Sequence, residues 1–401
     1  MNIDNYRVIS TGWKSKDRLH LRSATEVHWS CRKHNWTEKR RLQAVLSVLP
    51  TIPNIRLLSL YDADINFAQQ AIIFGVSTLR TLDVHSCRFH PSTKPLPLPH
   101  VTELRLTNTD MQTTRRLLTI LATTVETLEV GHLDGTIGPI LQAGLIELPK
   151  LSAISMRRLQ YGIRLAISST FKRHTSITTI CILFHFDLSG MSFDDSDLPA
   201  LRSLQCRDNL AMRLIPKRPV TTFVEVRAPH EEGPWMLLNV LSETSVRITN
   251  LKISVSHHFS SLLSSLAASL PDLEQLTLKC FHNGVPWLGA SSPDVLSWQP
   301  SHNPPGAAAV TLPKLKWVII WVDHHQFKYT NWPSELLRKM YFIPVCPALE
   351  VFECLSFSFY SFRADFGQPC EPDRAWKTQR LPDGSWEPQG PPPTPTPIPE
   401  K

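Results

Sequence analysis

The sequence has no apolar run approaching the ~18 residues that a membrane-spanning helix needs. Its first residues, Met-Asn-Ile-Asp-Asn-Tyr-Arg, lack the apolar stretch behind a basic start that marks a secretory leader. A soluble protein inside the cell, in cytoplasm or nucleus, is the expectation. No C-x-x-C occurs among the eight cysteines scattered along 401 residues, so reduced thiols are expected rather than a disulfide framework. No block of like charge is longer than Lys39-Arg40-Arg41. Missing too are G-x-S-x-G, H-E-x-x-H, G-x-x-x-x-G-K-[ST] and G-x-G-x-x-G, the signals of the common nucleophile, zinc-protease and phosphate-cradle chemistries. The nearest approaches to a metal site are His28-x-x-Cys31-x-x-His34 and His85-x-Cys87-x-x-His90. Each offers three candidate ligands where a structural zinc site needs four, in the spacing of no standard module. No catalytic residue, cofactor or metal is therefore expected.

What is present is one pattern, many times over. Leu270 to Leu278 reads Leu-Pro-Asp-Leu-Glu-Gln-Leu-Thr-Leu, and Leu148 to Met156, Leu198 to Cys206 and Leu312 to Ile320 repeat its grammar. Ile52 to Leu60, Leu98 to Leu106 and Cys346 to Cys354 do the same. An apolar residue and a proline are followed by apolar residues at relative positions 1, 4 and 6, the L-x-x-L-x-L core of a leucine-rich repeat. Repeats begin at Ala24, Ile55, Leu79, Val101, Val125, Leu151, Ile177, Leu201, Phe223, Ile248, Leu273, Leu315 and Leu349. From Ile55 to Leu273 consecutive starts lie 22 to 26 residues apart, inside the window for such repeats. The weakest member is Phe223, Val226, Ala228, where the register has the alternative of running through Val220. Helical periodicity follows several strands, at 67–76, 115–125, 161–171, 235–241 and 259–270. The expected fold class is α/β: a right-handed leucine-rich-repeat solenoid, a horseshoe with an inner parallel sheet and outer helices.

The domain plan reads as a basic N-terminal cap over 1–23 and a solenoid over 24–362 with a Pro-, Gly- and Ser-rich loop insertion at 282–311. An aromatic cap over 363–386 and a Pro-rich, disordered tail over 387–401 complete it. Asparagine, which at the ninth position of many repeats bonds the backbone between coils, stands there only as Asn209; Cys87, Ser256 and Asp323 hold the place elsewhere.

Alternation along a strand turns positions 3, 5 and 7 away from the core, so the candidate binding face can be read off. It includes Arg105, Arg157, Arg207, Arg227, Lys252 and Lys279, with Asp83, Glu103 and Glu129 among the early strands, which suggests a face divided by sign. Trp317, Ile319 and Trp321 place three large apolar groups at positions 3, 5 and 7 of one strand. Either a protein partner covers them or the aromatic segment 355–386 folds back over them. Formal net charge is +7, and residues 1–60 hold 11 Lys plus Arg against 4 Asp plus Glu. The alternative reading is therefore a nucleic-acid or anionic-surface binder using Lys14 to Arg56, with Trp13, Trp29 and Trp36 for stacking.

The pieces "LPTIPNIRLLSLYDADI", "STLRTLDVHSCRF", "LPLPHVTELRLTNTD", "LPDLEQLTL", "CPALEVFECLSF" and "RLPDGSWEPQG" resemble the leucine-rich-repeat region of fungal, mushroom-type F-box proteins, over about residues 24–390. That resemblance implies a non-catalytic scaffold, the substrate-recognition part of an SCF-type ubiquitin ligase. The repeats would hold a protein partner, and an N-terminal F-box would hold a Skp-type adaptor. Residues 1–48 depart from the family there, with no Leu-Pro-opened three-helix pattern, so an adaptor is expected only where an F-box is supplied. Nucleic acid is the less expected partner.

Overall fold

In the computed structural model, the described residues are 25–30, 36–91, 94–131, 146–157, 164–183, 193–225, 233–255, 259–280, 311–323, 346–357, 372 and 374–389. The chain divides into two compact halves, Met1–Ala200 and Leu201–Lys401. The expected N-terminal cap (1–23) lies outside the described residues, as do nearly all of the loop insertion and most of the tail.

In the first half the elements run β1 (Glu26–Ser30), α1 (Trp36–Val48), β2 (Leu57–Tyr61), β3 (Asp64–Ile65), α2 (Phe67–Phe74), β4 (Thr81–His85) and β5 (Arg88–Phe89). They continue with β6 (Glu103–Thr107), α3 (Met111–Leu121), β7 (Thr127–Gly131), β8 (Ala153–Met156), α4 (Arg164–Arg173) and β9 (Thr179–Ile182). β1, β2, β4, β6, β7, β8 and β9 pair in that order, each parallel to the next. The second half runs β10 (Ser203–Cys206), α5 (Asp208–Leu214), β11 (Thr222–Glu225), α6 (Gly233–Ser242), β12 (Asn250–Val255) and α7 (Phe259–Ser269). There follow β13 (Gln275–Cys280), β14 (Trp317–Asp323), β15 (Val351–Phe357), β16 (Arg374–Arg380) and β17 (Trp386–Gln389). Strands β10 to β15 are parallel neighbours. β16 and β17 close the series as an antiparallel hairpin on the edge of β15. No helix among the described residues is long and apolar enough to cross a membrane.

The repeat grammar explains this architecture piece by piece. Proline fixes φ for the second place of a turn, and several copies of the apolar-Pro-x-apolar lead close one just before their strand: Leu273 N donates to Leu270 O at 3.2 Å, Leu151 N to Leu148 O at 3.0 Å and Leu349 N to Cys346 O at 3.0 Å. Positions 1, 4 and 6 then enter the core. Val101, Leu104 and Leu106 are at most 1% exposed, and Leu273, Leu276 and Leu278 likewise. Burying each such side chain contributes about 1.5–3 kcal/mol. Cys206 and Cys354, at sixth positions, are fully buried and serve as small hydrophobes.

At position 8 the chain leaves the strand through a left-handed residue: Asp62 (φ 54°), Ser86 (φ 52°) and Asn108 (φ 52°). Short polar side chains tolerate this region best. The turn aims Asp62 N at His85 O and Ser86 N at Thr107 O, both 2.9 Å away in the next coil. Cys87, one residue further, does the work of the absent ladder asparagine. Its thiol donates to Leu60 O at 3.2 Å and accepts from Ala63 N at 3.3 Å, and burial pushes its pKa up to about 12. Fully buried Gln70 ties two coils as well, donating to Ile65 O at 3.1 Å and His90 O at 2.8 Å.

Helix α2 begins in a capping box: Asn66 accepts from Gln69 N at 3.0 Å and Gln69 returns the bond to Asn66 N at 2.9 Å. Helix α3 starts four residues before the periodic stretch because the Asp110 carboxylate accepts from Thr113 N at 2.7 Å and fixes the first turn there.

One repeat required correction. The register of β11 runs through Val220: Phe223 pairs with Leu204 and Leu251, at position 4. Glu225 therefore falls at position 6, where the pattern demands an apolar residue, and is 1% exposed. Its carboxylate accepts from Ser254 N at 2.6 Å, supplying an acceptor where the β11–β12 ladder has stopped. A buried carboxylate is costly unless hydrogen-bonded, and this bond offsets part of that cost. The second difference is at the C-terminus, where β17 carries Glu387, Pro388 and Gln389 into pairing with Gln379, Thr378 and Lys377, three residues into the stretch expected as tail.

Equivalent positions also stack charges. Asp272, just before its repeat's first position, holds Arg247 of the preceding repeat and, at 2.5 Å, Lys314 of the following one. Hydrogen bonds from Lys314 and Arg247 hold its pKa below the usual carboxylate value. A depressed folded-state pKa stabilises the fold above the unfolded value and ceases to do so as pH falls through the lowered one. The Asp272→Asn variant should therefore lose stability at neutral pH and show a smaller loss than wild type on acidification below about pH 4, checked by urea melts across pH.

Candidate functional site

The odd strand positions form the face on which a site can be built, and the ladder sets them in rows. In the first half the fifth-position row is His28, Ser59, Asp83, Arg105, Glu129, Ser155 and Cys181, each opposite the next. In the second it is Gln205, Val224, Lys252, Thr277, Ile319, Glu353 and Lys377. Neighbouring strands lie about 4.8 Å apart, so a row is a line of adjacent side chains. Small ones sink between taller neighbours: Ser59 is 1% exposed and Thr277 4%.

The charges of the first half do not divide by sign; they interleave. Arg105 donates from Nε to Glu103 Oε1 at 2.8 Å and lies 3.6 Å from Glu129 Oε2, while Arg157 Nε is 2.6 Å from Glu129 Oε1. Thr81 donates to Glu103 Oε2 at 3.0 Å, and Ser59 to Asp83 Oδ2 at 3.2 Å. Burial alone would lower the Arg105 pKa. The hydrogen bond to Glu103 and the charges of Glu103, Glu129 and Asp83 more than offset this, and it ends above its ordinary value. Tyr61 stacks against His85 with centroids 5.3 Å apart, and burial first, then the Asp83 charge, raise its pKa. The result is a half-exposed, preorganised strip of alternating charge.

In the second half the predicted residues meet different fates. Lys252 is half-buried, and burial pulls its ammonium below the usual lysine pKa. Lys279, expected on the open face, is 3% exposed, with its Nζ 5.9 Å from the centre of the Trp321 ring; it packs as a cation against an aromatic face. Trp317, Ile319 and Trp321 do share one face of β14 and are half-buried. The C-terminal hairpin reaches them from the side: Lys377 lies 5.4 Å from the centre of the Trp317 ring while paired with Glu353 at 2.9 Å. Arg207 follows β10 at position 7. Arg227 lies outside the described residues, and the corrected register gives its expected fifth place to Val224. Lys377 is the face residue that sequence reasoning missed, because β16 follows no repeat pattern.

Of the residues on which the two alternative chemistries would draw, several of the described ones are engaged elsewhere. Trp29, expected to stack on bases, is a sixth-position core residue 4% exposed; Trp13 and the Trp36 side chain lie outside the described residues. Of the histidine–cysteine sets, Cys87 is engaged with backbone, His85 with Tyr61, and His90 lies 4.0 Å from Asp64. Cys31 and His34 lie outside the described residues. No cluster of three metal-ligating side chains exists among the described residues.

No family model and no curated protein matches the chain. Among solved structures, a chain from the crystal structure of the Rad7 and Elc1 complex in yeast is similar to it, with a TM-score of 0.41 and 11% sequence identity over 92% of this chain and 85% of that one.

Glu129 holds Arg105 and Arg157 together at the surface, where ion pairs contribute little. Glu129→Gln should cost less than about 1 kcal/mol of stability in denaturant melts, so that loss of binding in this variant reports on the face and not on the fold.

Proposed function

We propose that the chain is a non-catalytic leucine-rich-repeat scaffold that holds a protein partner on the odd-position face of its strands. Each half is then a set of right-handed strand-and-helix coils, the handedness that parallel crossover connections overwhelmingly take, with the sheet inside and the helices outside. The observation that carries the reading is the strip Arg105, Glu129, Arg157: charges fixed against one another, half-exposed, and aligned along a rigid ladder. Groups held in this way contribute specificity and orientation to an interface at small entropic cost. Catalysis, metal and cofactor have no part in this reading. A role in substrate recognition within an SCF-type ubiquitin ligase, with a Skp-type adaptor on an F-box and an intracellular location, rests on the resemblance of the repeats to the fungal F-box proteins.

Affinity capture with the full chain at about 150 mM salt, near physiological ionic strength, tests the reading against the Arg105→Glu/Arg157→Glu variant. Protein partners that survive nuclease treatment and are lost in the variant are expected. A partner set unchanged in the variant, or abolished by nuclease, would contradict it.

A further inference from the structure

The two halves treat charge differently. In the first, each face arginine leans on a carboxylate. In the second, positions 3, 5 and 7 of β10 to β13 carry no acidic residue among those described: Ser203 and Gln205, Thr222 and Val224, Asn250, Lys252 and Ser254, then Gln275, Thr277 and Lys279. Lys252 is half-buried without an acidic partner among the described residues. Beside it in the same row stands Val224, 9% exposed. Strand spacing of about 4.8 Å sets this apolar floor against Lys252, where a bound carboxylate would meet the ammonium. A half-buried cation with no acidic partner is costly alone, and an acid bound there offsets that cost.

The same row continues through Thr277 to Ile319, flanked by Trp317 and Trp321. Val224 to Ile319 is three strand spacings, roughly 14 Å, which an extended chain covers in about four residues. We propose, deepening the protein-binding reading above and resting on it, that the second half binds an extended acidic peptide segment. One Asp or Glu side chain sits over Val224 against Lys252, and a large apolar side chain about four residues away packs on Trp317, Ile319 and Trp321. Nucleic acid suits this surface less well, since tracking a phosphate backbone takes a series of exposed cations, and the row offers only the half-buried Lys252 and, at its far end, Lys377 already paired with Glu353.

Selection of random 12-residue peptides displayed on phage against the full chain, with a labelled oligothymidine run in parallel, tests the proposal. Enriched peptides should carry Asp or Glu about four residues from Trp, Phe, Leu or Ile. Replacing that acid by its amide, or Lys252 by Met, should weaken binding about tenfold or more, whereas Lys252→Arg should retain it. Lys252→Met removes an unpaired, desolvated charge and should melt no lower than wild type, which separates lost binding from lost folding. Enrichment without an acidic preference, or insensitive to Lys252→Met, overturns this inference and leaves the protein-binding reading standing. No enrichment, with tight oligothymidine binding that falls steeply with salt, overturns both.

Discussion

The parallel backbone ladder is the constraint on which everything else rests. Within each half, one strand's hydrogen bonds set the register of the next, and register decides which side chains meet the core and which form the opposite face. Because side chains alternate along a strand, a slip of one residue would move Leu104 and Leu106 into solvent and Glu103, Arg105 and Thr107 into the core. Burial of positions 1, 4 and 6 therefore enforces the pairing that brings Arg105 beside Glu129 and Lys252 beside Val224. Core and face are two consequences of one pattern.

Individual repeats are too small to stand alone, and the links between them are correspondingly varied. Cys87 and Gln70 bond neighbouring coils from inside, left-handed residues at position 8 hand backbone amides to the next strand, and Asp272 clamps a repeat on either side. None of these is the asparagine ladder of regular repeats. They show that a coil can be locked to its neighbour by any group that satisfies a stranded amide or carbonyl. Glu225 is the extreme case, a charged residue at a core position that accepts a backbone amide where the ladder stops.

Much of this was legible in the sequence. The fifth-position row was readable from the spacing alone at every parallel strand but one, because the period-2 alternation and the Leu-Pro turn leave little freedom in where a strand begins. The exception was β11, where an acid at position 6 hid the true register and the apolar Val226 suggested a false one, putting Arg227 where Val224 belongs. Helix starts shifted where a side-chain cap such as Asp110 overrode periodicity. The site was less legible than the fold. Alternation says which side a residue faces, but not whether a neighbour pairs with it or buries it. Arg157 lies against Glu129, Lys279 lies beneath Trp321 at 3% exposure, and Lys377 comes from a hairpin outside the repeat grammar. Trp29 followed its sixth position into the core, as its repeat dictates, and so is lost to base stacking.

The central claim is the register itself, and cross-linking reads it directly. Adjacent parallel strands place row partners within disulfide reach, so an Asp83→Cys/Arg105→Cys variant should form an intramolecular disulfide on mild oxidation while Asp83→Cys/Leu106→Cys should not. The reverse result, with the shifted pair closing and the aligned pair remaining reduced, would place Arg105 on the core side and contradict the account.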